Sequence, residues 1–385
     1  MNVLLQLTYY RPHVSGLTIY VERLARGLVR RGHNVTVLTS RFEPDLQRDE
    51  VVDGVRVVRV PVAARVSKGV LMPSIGYHAT NLVRRNDVCS LHLPNFDAAG
   101  IALRGRLFGR PVIATYHCDL RLPAGMFNRL VDRMSALMNR ITMRAADRVL
   151  TYTDDYRDHS PLLRRCTSKV DVILPPVEMR QPAAGELDEF RRRHRISGGP
   201  LIGMACRFAA EKGIEHVVSA MEILVECYPG IQLLFAGPYR DVLGERTYFD
   251  LLKSRIDKLG GRWRFLGVLG QDELPAFYGS LDALVVASTN STESFGLVQV
   301  EAFLCDCPVV SSDIPGVRQP VLGTGMGWVV PPGDGRAIAD ALAKLLREVP
   351  PRRLGREEIQ ELFSIDRCAA RYEALFEREL ALKGA

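Results

Sequence analysis

Two acids, Glu293 and Glu301, bracket the stretch Glu293-Ser294-Phe295-Gly296-Leu297-Val298-Gln299-Val300-Glu301, which follows an apolar, strand-like run from Leu281 to Ala287. A helix beginning near Phe295 offers free backbone N–H groups and the positive end of its dipole to an anion. Glu301 then lies a turn or more inside that helix, among Leu297, Val298, Val300, Ala302, Phe303 and Leu304. A carboxylate in such apolar company needs a partner, and a pair of ligand hydroxyls would supply one. Glu293 taken alone has a plainer reading as well, an acid favoured before a helix N-terminus by the dipole.

Arg207 and Lys212 stand in Cys206-Arg207-Phe208-Ala209-Ala210-Glu211-Lys212-Gly213, directly after the apolar run that begins at Leu201. Two fixed cations on a strand-to-helix loop suit a leaving diphosphate, which gains charge as a glycosidic bond breaks, so they act mainly in the transition state. The alternative is a pair of solvated loop cations neutralised by Glu211 or Glu215. His117 and Asp119 end another strand-like run, in Ala114-Thr115-Tyr116-His117-Cys118-Asp119. A lone histidine there is otherwise a satisfied loop residue. No Asp-x-Asp run stands near a strand end, so no metal bridging a diphosphate is expected, and no nucleophile is poised to trap a glycosyl group.

The elements that must position these residues alternate short apolar runs with amphipathic segments, the pattern of parallel sheets with crossover helices. Strands are predicted near residues 3–7, 35–39, 55–60, 88–93, 112–116 and 149–153, with helices near 17–31, 97–108 and 125–146. A second set of strands falls near 201–206, 232–236, 264–266, 283–286, 308–311 and 327–330. The boundary lies at Leu174-Pro175-Pro176-Val177. Two Rossmann-like domains are therefore expected, 1–175 and 176–364, facing across a cleft at the carboxyl ends of their strands. The segment 365–385 reads as a helix that packs back on the first domain.

A chain of 385 residues exceeds one ordinary core, and 47% hydrophobic residues with 25% charged ones describe a soluble protein. The net charge of +7 is uneven. Residues 1–180 hold 27 Lys/Arg against 16 Asp/Glu, and the remainder holds 24 against 28. The basic half suits a phosphorylated acceptor, an anionic membrane surface or nucleic acid, with a merely Arg-rich composition as the plainer reading. Eight scattered cysteines without a Cys-x-x-Cys spacing indicate neither a zinc site nor disulfides, hence a reducing compartment. The N-terminus lacks a basic region before its apolar run, and nothing approaches a membrane-spanning length, so a cytoplasmic protein is expected, with the inner face of the cytoplasmic membrane as its nearest surface.

The Arg207/Lys212 pair, the Glu293-x7-Glu301 element with its Ser-Phe-Gly-Leu interior and the two-half layout resemble glycosyltransferase family 4, retaining enzymes of the GT-B fold, over essentially the whole chain. The resemblance implies a nucleotide-diphosphate-sugar donor, a UDP- or GDP-sugar, bound mainly by the second domain. It implies a hydroxyl acceptor, lipid-linked or phosphorylated, bound by the first. It makes Arg207 and Lys212 the diphosphate grips, Glu293 the sugar contact and Glu301 the ribose contact, with backbone at Phe295, Gly296 and Leu297 meeting sugar and phosphate. It also sets His117 near the reacting carbon and gives Val14-Ser15-Gly16-Leu17 the role of a glycine loop that approaches the donor. The implied mechanism is front-face substitution, metal-independent and without a further cofactor.

Departures from the family pattern are Ser15 in place of a first glycine, Gly237-Pro238-Tyr239 where Gly-x-Gly is frequent, and Ile314-Pro315-Gly316 where a Pro-Glu pair often stands. Two alternatives to transfer are a nucleotide-sugar epimerase of the same architecture and a non-catalytic nucleotide-sugar-binding protein. A dinucleotide oxidoreductase is disfavoured because no Gly-x-Gly-x-x-Gly follows the first strand, and nucleic acid is not an expected partner. The segment from Phe127 to Arg148 sets Phe127, Leu130, Val131, Met134, Leu137, Met138 and Ile141 on one helical face beside Arg129, Arg133, Arg140 and Arg144. Packing of that face on the first sheet is expected, with an anionic bilayer as the alternative. Arg65, Lys68, Arg84 and Arg85 form a second cationic region.

Overall fold

A computed structural model describes the chain apart from residues 67–68, 120–125, 197, 241, 243, 349, 351 and 385 and the side chains of Val66, Phe127 and Asn128. The chain divides into two compact units, Met1–Val177 with Phe363–Ala385, and Glu178–Leu362.

In the first unit the strands are β1 (Asn2–Gln6), β2 (Asn34–Arg41), β3 (Asp49–Val52), β4 (Val55–Pro61), β5 (Ala64–Val66), β6 (Gly69–Leu71), β7 (Val88–Leu93), β8 (Val112–Tyr116), β9 (Arg148–Thr151) and β10 (Val170–Val172). Eight of them form one sheet in the order β10-β9-β8-β7-β1-β2-β4-β3, and β5 pairs with β6 alone. Every pairing in the large sheet is parallel except β3 with β4. Strands β7 and β8 are buried along their whole length, as strands covered on both faces must be, which is why they read as largely apolar runs, interrupted only by Ser90, His92 and Thr115. The helices are α1 (Gly16–Arg30), α2 (Ile75–Arg85), α3 (Ala98–Leu107), α4 (Met126–Ala145) and α5 (Asp154–His159). Ala79, Leu82 and Val83 of α2, Ile101 and Ala102 of α3 and Met143 of α4 enter one core cluster with the sheet.

The C-terminal helix, Ile365–Gly384, packs on α1. Gly27 lets the two approach, since a Cβ there would stand 2.8 Å from Cγ2 of Ile365. The Tyr372 hydroxyl bonds the Tyr20 hydroxyl and Oγ1 of Thr115, both at 2.7 Å.

Helix α4 corrects the sequence expectation that its apolar face packs on the sheet. Asn139, Thr142, Met143 and Ala145 are the buried residues, whereas Leu130, Met134 and Leu137 are exposed. The reason is that small and polar side chains let the helix sit close to its neighbours: Asn139 Oδ1 accepts from the Asn95 N–H at 3.4 Å, and the Thr142 hydroxyl bonds the Met138 carbonyl. The Phe127 side chain and Lys68, which shared in the two basic regions read from sequence, lie outside the described residues. Strand β3 and helix α2 both escaped the sequence reading. Three of the four β3 residues are exposed, and α2 buries only three of its eleven.

The second unit holds β11 (Leu201–Ala205), β12 (Gln232–Ala236), β13 (Trp263–Gly267), β14 (Ala283–Val286), β15 (Val309–Ser312) and β16 (Gly327–Val330), all parallel, in the order β13-β12-β11-β14-β15-β16. Its helices are α6 (Glu186–Arg193), α7 (Ile214–Cys227), α8 (Arg246–Leu259), α9 (Leu274–Ser280), α10 (Leu297–Leu304), α11 (Gln319–Thr324), α12 (Gly335–Leu345) and α13 (Arg356–Leu362). From β11 the strand order runs outward through β12 in one direction, and from β14 it runs outward through β15 in the other. The reversal between β11 and β14 is a topological switch point, where the crossovers diverge and leave a crevice at the carboxyl ends.

Candidate active site

The two loops that leave the switch point carry the residues singled out by spacing. Arg207 to Lys212 follow β11, with Ala210–Lys212 forming a single 3₁₀ turn before α7. Glu293 closes the loop from β14 to α10. Because β11 and β14 are parallel neighbours, with Ile202 opposite Ala283, their trailing loops meet. The Thr289 N–H donates to the Glu211 carbonyl at 3.0 Å, and Gly213 presses on the second loop so closely that a Cβ would stand 2.1 Å from the Ala287 carbonyl oxygen. Gly213 also has φ +63, so glycine is required there on two counts.

The Lys212 ammonium lies 2.5 Å from Oε2 of Glu293, and both side chains are about one-fifth exposed. Glu293 Oε1 accepts the Gly296 N–H at 3.0 Å. Burial pushes the Glu293 carboxyl upward, but Lys212 and the Gly296 and Phe295 N–H groups outweigh it and hold the pKa below the ordinary carboxylate value. Burial likewise lowers Lys212, and Glu293 more than restores it, so the ammonium is held above its ordinary value. Both groups are ionised near neutral pH. Beside them burial raises the Cys206 thiol to about 12, which leaves it protonated and unreactive.

Arg207 is more exposed and forms an ion pair with Glu211. The solvated-cation reading thus describes Arg207, while Lys212 reaches across to Glu293 instead of Glu211 or Glu215. Glu215 is taken by the Tyr248 hydroxyl.

Gly296 caps α10 with φ +77, and Leu297 is its first helical residue. Glu301 is buried on α10 and accepts from the Tyr278 hydroxyl of α9 at 3.0 Å, so a phenol is one of its partners within the chain. Phe295 is buried, and its carbonyl accepts from the Gln299 side-chain amide at 2.7 Å. The same amide donates to the Val317 carbonyl at 2.8 Å, tying the α10 entry to the turn after β15. Gln299 and Tyr278 were not among the residues read from sequence. Only Gln299 left a trace there, as a polar residue amid an apolar run. Glu245 was missed as well: it is buried and accepts the Ala210 N–H at 3.1 Å, fixing the Arg207 loop.

Gly16 and His117 belong to the first unit. Gly16 opens α1 behind the Ser15 cap, whose hydroxyl accepts the Thr18 N–H at 3.2 Å. It has no positive φ, and a Cβ there would meet nothing within 4 Å, so no protein atom requires a glycine. His117 follows β8, is 4% exposed, and has both ring nitrogens engaged. Its Nε2 pairs with Nδ1 of His92 at 2.9 Å, and its Nδ1 with the Tyr152 hydroxyl. Burial lowers the His92 pKa to about 3, and burial followed by the His92 neighbour lowers His117 well below its ordinary value. Asp119 is a structural partner: its Oδ1 accepts from the Tyr116 and Ser160 hydroxyls at 2.8 and 3.0 Å.

Paired cations and acids at a switch point, with Glu293 also set by the Gly296 N–H, form an arrangement that suits a polyanionic ligand bearing hydroxyls. Residues 15–175 match the family described as glycosyl transferase 4-like domain, and residues 187–360 match glycosyl transferases group 1. The 2-deoxystreptamine N-acetyl-D-glucosaminyltransferase of Streptomyces fradiae is 30% identical over 352 residues, 85% of this chain and 82% of that one. The chain belongs to this glycosyltransferase family. Among solved structures, sucrose-phosphate synthase from Thermosynechococcus elongatus superposes with a TM-score of 0.78 at 22% identity, covering 99% of both chains. Anabaena HepE, in complex with UDP and glucose, gives 0.77 at 15% identity, covering 97% of this chain and 99% of that one. The fold is GT-B. Among the described residues no helix is long and apolar enough to cross a membrane.

Proposed function

We propose that this glycosyltransferase moves a sugar from a nucleotide-diphosphate-sugar to an acceptor hydroxyl with retention of configuration. The observation that carries the reading is the Lys212–Glu293 ion pair at the switch point, beside Arg207 and the start of α10. The UDP and glucose bound by HepE, a protein of the same fold, favour a UDP-sugar over a GDP-sugar.

In this reading the second unit binds the donor and the first binds the acceptor. Lys212 and Arg207 meet the diphosphate, and their attraction grows as the leaving group gains charge. Arg207 exchanges Glu211 for a phosphate oxygen as the donor arrives, and Glu293 accepts from sugar hydroxyls while keeping Lys212 in place. Glu301 takes the ribose hydroxyls beside Tyr278, and backbone at Phe295, Gly296 and Leu297 borders sugar and phosphate. On the first unit, the open space at Gly16 and the neutral, hydrogen-bonded His117 are this reading's contributions to ligand contact. The glycosidic C–O bond to phosphate breaks and the acceptor oxygen bonds the same face of the carbon. The acceptor proton passes to the departing phosphate oxygen. The two cations, with no metal, meet the diphosphate charge.

A thermal-shift panel of UDP-, GDP-, ADP- and TDP-sugars tests donor binding, since a ligand that prefers the folded chain raises the melting temperature. The stabilising donor is then incubated with hydroxyl acceptors in the presence of a chelator. A new glycoside of unchanged anomeric configuration supports the reading. No shift with any donor, or an inverted product, overturns it, and isomerised donor without any acceptor would make the chain an epimerase.

A further inference from the structure

The first unit carries an exposed apolar stripe on α4. Met126, Leu130, Met134 and Leu137 recur at spacings of four, four and three residues, which keeps them on one side of a helix, and they are 88, 57, 40 and 46% exposed. Across the helix from them lie the buried Asn139 and Thr142, so the stripe is not a core face left partly covered. Helix α3, packed between α2 and α4, adds exposed Leu103 and Leu107, one turn apart. Contiguous exposed apolar side chains on a water-soluble surface mark a place of contact.

The charges around the stripe are nearly all of one sign. Helices α2, α3 and α4 together hold eight arginines and one acid, Asp132. On α4 the exposed Arg129, Arg133, Arg140 and Arg144 border the stripe. Two copies of such a face repel one another, which disfavours a dimer built through it. An exposed row of Leu and Met bordered by arginines suits a soft apolar medium under anionic headgroups. Arginine stems lie along such a medium while their guanidinium groups reach the phosphates above it.

We propose that the α3–α4 face of the first unit docks on the surface of an anionic phospholipid bilayer, with the Met126–Leu137 stripe entering the headgroup boundary and the bordering arginines meeting lipid phosphates. Attachment is peripheral and falls with ionic strength.

The test is flotation of the full chain with vesicles of phosphatidylcholine alone or of equal parts phosphatidylcholine and phosphatidylglycerol, without donor or acceptor, so that the result is independent of sugar transfer. Binding to the phosphatidylglycerol vesicles alone is expected. Arg129→Gln with Arg133→Gln weakens it about 25-fold, roughly fivefold for each charge near the surface. Leu130→Ser, Met134→Ser and Leu137→Ser together weaken it at least about tenfold. All these side chains are exposed, so the melting temperatures stay close to that of the parent chain. The proposal is overturned by absent binding, by equal binding to both vesicle types, or by variants that bind like the parent. It is overturned equally by sedimentation showing a dimer that the serine variant abolishes.

Discussion

At the ends of β11 and β14, Lys212 and Glu293 are ionised and hold one another. At the ends of β7 and β8, His92 and His117 are neutral and locked by hydrogen bonds inside a core. The first arrangement keeps charge near a partly open surface by pairing it, so an incoming anion can share the cation without creating an unpaired buried charge. The second removes charge altogether, because burial disfavours the protonated form of both imidazoles and the His92 neighbour disfavours it further at His117. One sheet end is built to exchange partners, and the other to stay as it is.

Lys212→Ala bears hardest on that contrast. If the ammonium acts on developing diphosphate charge, turnover falls by about 10²–10³-fold while donor affinity falls much less. Steady-state kinetics with a stabilising donor decides it, and an unchanged kcat would remove Lys212 from the chemistry. The buried histidines are tested next, through acid stability. The unfolded chain's histidines take up protons below about pH 6.5, while folded His92 stays neutral down to about pH 3, so stability present above pH 6.5 is lost as pH falls through that window. Unfolding free energy should drop by about 1.4 kcal/mol per pH unit from His92 alone. Urea titrations at several pH values should show that slope flattened in His92→Asn, and equal slopes in both proteins would mean that His92 is not held neutral.

Gly213→Ala probes how the switch-point loops are held together. A Cβ against the Ala287 carbonyl, on a backbone of φ +63, should cost more than about 2 kcal/mol, read as a lower urea midpoint. An alanine chain as stable as the parent would show that the loops separate freely. Gln299→Ala removes the amide that bridges the Phe295 and Val317 carbonyls, the second of which keeps the Ser311 hydroxyl, and should cost about 1–3 kcal/mol by the same titration. Arg207→Ala should change stability least, within about 1 kcal/mol, because its pair with Glu211 is partly solvated. Its turnover should still fall by about 10²-fold, and loss of both stability and turnover would recast Arg207 as structural.

The strands that build both sheets were readable in the chain because buried parallel strands are mostly apolar runs: Val88–Leu93 and Val112–Tyr116 stand where such runs are. Edge strand β3 was not, since exposed residues carry no burial pattern. Arg207, Lys212, Glu293 and Glu301 were legible as residue types that are costly near apolar segments. Their partners were not. Nothing in the spacing distinguishes Glu215 from Glu293 as the counter-ion of Lys212, because that choice depends on β11 and β14 being neighbours. Tyr278 and Glu245 were invisible for the same reason, being fixed on one residue from another element.

Sequence alone determined the alternation of strand and helix, the two-unit organisation and the presence of paired cations and acids, because these follow from local hydrophobic period and residue chemistry. Tertiary structure decided which acid meets which cation, which imidazoles lose their protons, and which side of α4 is buried. Periodicity shows that a helix has two faces, but only the neighbours it packs against settle which one meets water. On α4 those neighbours took Asn139, Thr142 and Ala145 and left Leu130, Met134 and Leu137 outside.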